Sequence, residues 1–463
     1  MEVKDSNGAL LNDGDAVTVI KDLKVTVSYK QILSIALPIS LAMLIPQLNM
    51  LTNSIFLGHL STEALGNAGV TGVFYLIFAV AGHGLNNALQ SVFSKYAGSD
   101  NPDKFKTILS QGIRVSLQVA LLGILITLFI APFILQSVAD EKAYPQEISF
   151  LKIRILGLPF LYLFQMGNAF LVASLNSKYL MIGFLVEALV NILLDYLLIQ
   201  GRHGFPAMGF NGAAWASVIA EFVGMVVVFL VLIKTGLKKQ YHLLTSYKYD
   251  KLINKEILKV GTPLVLQYVI SVTTWLVFFI FIENLHNANA KAISNTMRNV
   301  FGIIGVFVWA FAATSNVMVS NLMGQQKQEK VLEAIKKITL LSVFFALGMC
   351  ALINIFPIQF FKIFGQGDAF VQEGIPVMRM VSLGLLCMSV ANIWLNGVTG
   401  TGKTKINLAI EIIAITVYLV YTYIFTKLHY TSLAMAWSNE MVYWTSIFLM
   451  AFTYLKSQKW KTK

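Results

Sequence analysis

ILSIALP at residues 32–38 returns as ILKVGTP at 257–263, an offset of 225, and SVFSKYAG ending at Gly98 returns as NVMVSNLMG ending at Gly324, an offset of 226. A register kept across a whole helical hairpin marks the chain as an internal duplication. Apolar runs fill the interval between the copies. Those long enough to cross about 30 Å of hydrocarbon predict helices near 31–58, 64–97, 105–137, 148–175, 178–200 and 212–236. A second set is predicted near 254–284, 290–323, 331–366, 370–399, 404–427 and 431–456. Six spans per copy is an even number, so both copies start on the same side. The expected fold is an all-α integral membrane protein of twelve transmembrane helices, in two parallel six-helix lobes related by a pseudo-two-fold along the membrane normal.

The composition agrees with lipid as the main solvent. Of 463 residues, 56% are hydrophobic and 13% charged, and mean hydropathy is +0.69. A soluble domain carries about 25% charged residues, so a soluble enzyme is excluded. Cys350 and Cys387 lie inside apolar spans without metal-ligand spacing, which implies neither a disulfide framework nor a zinc site. The organisation expected is a tail (1–30), an amino-terminal lobe (31–236), a Lys-rich connector (237–252), a carboxyl-terminal lobe (253–456) and a basic tail (457–463). Residues 1–30 are polar and read as a loose tail rather than a signal peptide.

A net charge of +12 raises nucleic acid as a partner, but the position of the charge argues otherwise. Lysines concentrate in the tail, the alternate loops on its side and the carboxyl terminus, whereas the opposite loops carry Lys142, Arg202, Lys291 and Lys427. By the positive-inside rule both termini are expected in the cytoplasm of a multi-pass protein of the cell (inner) membrane, with no nucleic-acid partner.

Ionisable side chains at membrane depth are costly and mark function. They include His83, Glu187, Asp195, Glu221, Glu411 and Glu440. In VEALVNILLDYLLI (186–199), Glu187, Asn191 and Asp195 recur at i, i+4 and i+8, one face of the fifth helix, expected to point into the lobe. Asn53 on the first helix lies at a depth similar to that of Asp195. A poorly hydrated carboxyl there is a candidate to take a proton from one side and release it to the other. With Asn191, Asn53 and Ser217 it equally offers oxygen ligands to sodium. Glu221 and Glu440, and Glu187 and Glu411, recur in both lobes, which favours packing roles for them. Pro38 and Pro46 permit the first helix to bend. GVTGTGKT (397–404) fits a phosphate-loop pattern, but apolar spans flank it where a strand and a soluble helix are required.

With these motifs in place, the chain resembles the multidrug and toxic compound extrusion (MATE) family over nearly all its length after residue 30. The segments that carry the resemblance are LPISLAMLIPQLNMLTNSIFLGHLSTEALGNAG (37–69), VNILLDYLLI (190–199) with GFNGAAWAS (209–217), and GVTGTGKTK (397–405). The resemblance implies alternating access between two lobes, exporting bulky, lipophilic, often cationic small molecules (xenobiotics) by antiport with protons or sodium and without a cofactor. It carries the amino-lobe cation site onto Asn53, Asn191, Asp195 and Ser217, with Pro38 as the bending proline; since Asn53 cannot titrate, Asp195 is expected to serve alone or with Glu187. Two departures stand out: Asn53 replaces an acid, and Ser271 and Met388 occupy positions where some relatives carry acids in the carboxyl-terminal lobe. Aromatic and apolar walls suit lipophilic cations, with Tyr268, Trp275, Trp309, Met388 and Trp394 as candidate lining. A two-lobed carrier of this kind can work as a monomer. The alternative is a flippase for lipid-linked oligosaccharides, which calls for a strongly cationic cleft, while only Arg154, Arg298 and Arg379 lie at depth. An ATPase lacks its nucleotide domain, and no channel filter is readable.

Overall fold

The computed structural model describes residues 23–60, 62–99, 102–138, 144–235, 248–283, 285, 288–362, 367–430 and 432–461; on the first hairpin most side chains between 50 and 70, that of Asn53 among them, lie outside the description. Twelve long helices follow in order: α1 (Tyr29–Leu60), α2 (Thr62–Gly98), α3 (Pro102–Val138), α4 (Tyr144–Ala173), α5 (Leu180–Leu198), α6 (Phe210–Lys234), α7 (Lys251–Glu283), α8 (Ala288–Gly324), α9 (Val331–Ile355), α10 (Asp368–Gly400), α11 (Thr404–Tyr423) and α12 (Asn439–Lys456). Among the described residues, ten of these helices contain stretches long and apolar enough to cross a bilayer. The other two are α2, which carries the polar run from His83 to Gln90, and α12, whose 18 residues open with Asn439 and Glu440.

Several expected boundaries shift for local reasons. The ninth span, expected over 331–366, stops at Ile355, and a separate turn, Pro357–Lys362, begins at a proline that has no N–H to continue the helical ladder. In α4 the backbone tightens to a 3-10 turn at Ile155–Gly157, just ahead of Pro159. The last span opens with its own short turn, Leu433–Trp437. The connector expected over 237–252 already turns helical at Lys251, and residues 237–247 lie outside the described residues. The phosphate-loop look-alike is a helix–turn–helix corner between α10 and α11, with Gly402 at φ 76°.

Exposure is inverted relative to a soluble protein. Leu121, Leu122, Phe129 and Phe133 of α3 and Phe344 of α9 are exposed, while Asn191, Asp195, Glu221, Asn316, Glu411 and Glu440 are buried. Hydrocarbon satisfies the first group and cannot satisfy the second.

Within the amino-terminal lobe, α5 packs on α1 and α6, and α4 on α2, α3 and α6; in the other lobe α11 packs on α7 and α12, and α10 on α8, α9 and α12. The lobes meet where α1 and α2 face α7 and α8. At the end of the bundle where α1 begins, α2 and α8 cross at their equivalent glycines. A Cβ on Gly98 would strike the backbone of Asn321, and one on Gly324 would strike the backbone of Lys95. The 226-residue offset pairs Lys95 with Asn321, so these are one contact seen from both sides of the pseudo-two-fold. Around it Ser91 Oγ and Ser320 Oγ lie 2.9 Å apart, and Asn316 Nδ2 donates to Asn87 Oδ1 at 2.6 Å. Lys95 Nζ and Tyr96 Oη reach Glu256 of α7 at 2.6 and 2.7 Å. This end of the interface is closed.

The last residues of the amino-terminal tail, expected to be loose, form a strap across that seam. Leu23 and Val25 are buried in the core shared by both lobes. Asn321 Oδ1 accepts from Val25 N at 3.0 Å and its Nδ2 donates to Leu23 O at 2.9 Å, while Gln325 Nε2 and Lys337 Nζ donate to Val25 O and Val27 O, each at 3.0 Å. The backbone just before α1 is thus bound to α8 and α9 of the opposite lobe, because its peptide groups find their partners there. Replacing Asn321 with Ala removes both ends of one such clasp. The variant is expected to lose about 1–2 kcal/mol of local stability, raising hydrogen exchange at Val25 about tenfold. Exchange unchanged from wild type in mass spectrometry of the 23–27 peptide would refute the strap.

Candidate functional site

Asn191 and Asp195 stand one helical turn apart on α5, 2% and 0% exposed. Leu189 and Leu193, each two residues before one of them, are exposed on the opposite face, so the lipid side and the polar side of α5 are set by the 3.6-residue period. Asp195 is enclosed by protein rather than turned toward acyl chains. Asn49 Nδ2 of α1 donates to Asn191 Oδ1 at 2.8 Å, which ties the first helix to the fifth. Asn49 escaped the sequence reading, although it sits one turn before Asn53 and therefore on the same face. Ser217 is half-buried on α6, the helix that packs along α5. Pro38 is half-buried within α1, which continues as α-helix through it and Pro46. Among the described residues no three His, Cys, Asp or Glu gather as a metal cluster. The described neighbourhood of the Asp195 carboxyl thus holds the Asn191 amide one turn away on the same face of α5.

Glu187, two turns from Asp195, belongs to a different group. Its stem lies against Gly224 of α6, and its carboxyl interacts electrostatically with Arg154 and Glu221. Arg154 of α4 grips Glu221 with both arms, Nη1 to Oε2 at 2.8 Å and Nη2 to Oε1 at 2.6 Å, and its guanidinium stacks over Tyr75 of α2 at 3.9 Å. Gly157 allows this, since a Cβ there would meet the Glu221 carboxyl and the guanidinium. The cluster ties α2, α4, α5 and α6 together.

The candidate lining residues divide. Met388 is fully enclosed and Trp394 packs on Phe448 and Phe452, so in this conformation neither presents a wall to a cavity. Apolar bulk at those positions fills the core between α10 and its neighbours. Tyr268, Trp275 and Trp309 are half-buried. Tyr268 Oη receives Asn87 Nδ2 of α2 at 3.4 Å, and Trp275 Nε1 donates to Glu440 at 3.0 Å. His83 keeps an exposed side chain on α2. Of the basic residues at depth, Arg154 is neutralised by Glu221, while Arg298 and Arg379 are exposed, Arg298 lying over Phe279 at 5.7 Å.

The Arg154–Glu221 pair is 14% and 5% exposed at its side chains. Replacing Arg154 with Met strands a buried carboxylate and is expected to cost about 3–5 kcal/mol, and adding Glu221→Gln restores much of the loss. Thermal unfolding in detergent reads both effects, and a double variant no more stable than the single one excludes direct coupling.

Comparison with known proteins fits this architecture. A family model described as MatE matches residues 38–197 and 263–424, one segment in each lobe; a second, described as PhnA domain, matches residues 3–33, of which 3–22 lie outside the described residues. A probable multidrug resistance protein NorM from Thermotoga maritima is 23% identical over 94% of this chain and 93% of its own. The protein of the same description from Listeria monocytogenes (strain EGD-e) is 28% identical over 51% of this chain and 52% of its own. Among solved structures, an outward-facing multidrug resistance MATE family transporter of the MOP superfamily superposes with a TM-score of 0.84, at 18% identity, over 96% of this chain and 99% of that one. A MOP superfamily transporter from Pyrococcus furiosus gives 0.84 at 18% identity over 97% of this chain and 100% of that one. The paired match, one copy of the family segment per lobe, covers well over half of the sequence, and the chain belongs to the MatE family of multi-pass membrane transporters.

Proposed function

We propose that this protein exports lipophilic, often cationic small molecules by antiport with protons or sodium, its two lobes rocking between inward- and outward-open forms. The observation that carries the reading is the bond between Asn49 and Asn191, one turn from the enclosed Asp195. Ion occupancy of the α5 carboxyl is thereby communicated to α1, a helix with two internal prolines and the strap at its start. An ion bound at Asp195 changes the charge that α1 and α6 face, and α1 repacks against α8 of the other lobe. The closed seam at the end where α1 begins corresponds to the outward-open form, with that end and both termini in the cytoplasm of the inner membrane, a topology that the lysine distribution supports. A single copy holds both lobes and the coupling carboxyl, so a monomer is sufficient.

Multidrug resistance in the names of the relatives supports the substrate class. The neutralised Arg154 argues against a flippase, which needs unpaired cations for a pyrophosphate headgroup.

In proteoliposomes with proton and sodium gradients imposed separately, Asp195→Asn is expected to abolish gradient-driven ethidium transport while membrane insertion stays normal; full activity in that variant would end the assignment. Asn53→Asp is expected to move the pH or sodium dependence of transport. If neither moves, Asn53 stands outside the coupling site.

A further inference from the structure

The glutamates repeated in both lobes differ in the chemistry of their partners. Glu221 accepts from both arms of Arg154. Glu440, its counterpart on α12, accepts from Trp275 Nε1 at 3.0 Å on Oε1 and from Trp444 Nε1 at 3.1 Å on Oε2. Guanidinium and indole N–H groups only donate. A tyrosine hydroxyl also reaches one oxygen of each, Tyr75 Oη to Glu221 Oε1 at 3.4 Å and Tyr418 Oη to Glu440 Oε1 at 3.5 Å, but every oxygen of the two carboxyls already accepts from a shorter N–H, and a proton on either oxygen would oppose that N–H.

Glu411 on α11 is 1% exposed and is held differently. Its Oε1 is bonded by Ser271 Oγ of α7 and by Tyr443 Oη of α12 at 2.5 Å, and its Oε2 by Gln267 Nε2 of α7 at 3.3 Å. A serine or tyrosine hydroxyl donates or accepts as required. When the carboxyl is ionised, both hydroxyls donate to Oε1. When a proton sits on Oε1, the acid donates it to the oxygen of one of them, and Gln267 goes on donating to Oε2. Both states are hydrogen-bonded with the side chains in place, the condition for cycling a proton without unpacking the lobe.

The titratable groups facing Glu411 are Tyr268 of α7 and Tyr443 of α12, with Glu440 of α12 and Tyr418 of α11 beyond the Tyr443 ring. Among the described residues no Lys, Arg or His pairs with it; Lys259 of α7 and Lys405 of α11 line an open groove at the helix ends, and α10 faces this network through Thr399.

A polar track leads from Glu411 to the closed seam. Gln267 Oε1 accepts from Asn407 Nδ2 at 3.5 Å, Asn407 Nδ2 also donates to Thr399 Oγ1 at 2.7 Å, and Thr399 O accepts from Ser91 Oγ of α2 at 3.4 Å. Ser91 is the side chain that meets Ser320 across the lobes.

We propose that Glu411, with Ser271, Tyr443 and Gln267, is a reversible proton-binding site in the carboxyl-terminal lobe, linked through Asn407 and Thr399 to the seam between the lobes. Its role in coupling rests on the exporter reading; its protonation does not. The step is an acid–base equilibrium, with the proton passing between the Glu411 carboxyl and water on one side of the membrane or the other.

Infrared difference spectra of the purified full chain, titrated across pH, test the site directly. One component of the carbonyl band of protonated carboxyls is expected to vanish as pH rises in wild type, to be missing in Glu411→Gln, and to titrate at a displaced midpoint in Tyr443→Phe. The tyrosine variant keeps the test open if the glutamine variant does not fold, since a packing role alone would lower thermal stability and leave the midpoint in place. Identical titrations in wild type and Glu411→Gln, or an unmoved midpoint in Tyr443→Phe, overturn the site. Ethidium uptake driven by a pH gradient separates the two readings. Wild type without uptake counts against the exporter while the infrared result stands, and Glu411→Gln with the wild-type pH profile of uptake removes the link to coupling.

Discussion

Hydrocarbon offers no partner to a polar group, and the arrangement of this molecule follows from that constraint. A polar side chain inside a span is satisfied by its own helix, as Ser40 is by Ala36 O, or by another, and the bonds between helices mark the contacts that hold the bundle together. Asn49 with Asn191 joins α1 to α5, Arg154 with Glu221 joins α4 to α6, and Glu440 with Trp275 joins α12 to α7. An exposed apolar surface such as that of α3 adds no specificity, because leucine is as well solvated by lipid as by another leucine.

The same constraint shapes the polar part of the seam between the lobes. It is built of small and amide side chains, Asn87, Ser91, Asn316 and Ser320, around two glycines that let the helix backbones touch. Such contacts contribute about 0.6–2 kcal/mol each, enough in sum to close one face and small enough singly to be exchanged for others. The strap over residues 23–27 and the Lys95–Glu256 pair add contacts on the same face.

The two-fold repeat divided the buried acids into matched pairs, and the matching alone favours packing for all of them. The partners divide them otherwise. Each oxygen of Glu221 and of Glu440 accepts from an N–H that only donates, whereas Oε1 of Glu411 is bonded by two hydroxyls. Symmetry of position thus does not carry symmetry of chemistry: Ser271, noted in the sequence as the place of a missing acid, is bonded to an acid supplied by the neighbouring helix.

The sequence by itself determined the class of fold, the duplication and the spans, because these rest on local quantities: the length of an apolar run, a helical period, and a register kept between ILSIALP and ILKVGTP. It also placed Asn191 and Asp195 on one face of α5, since a spacing of four residues is a property of the helix alone. The end of α9 at Ile355 is written in the sequence as well, by Pro357 inside a long apolar run. The tertiary structure alone decided which polar group meets which. That Arg154 neutralises Glu221, that Asn49 reaches Asn191, that Met388 is core rather than wall, and that Ser271 and Tyr443 surround Glu411 all depend on how helices distant in the chain rotate against one another. No single helix carries that information, because the rotation is set by the joint requirement that all the buried polar groups of a lobe be satisfied at once.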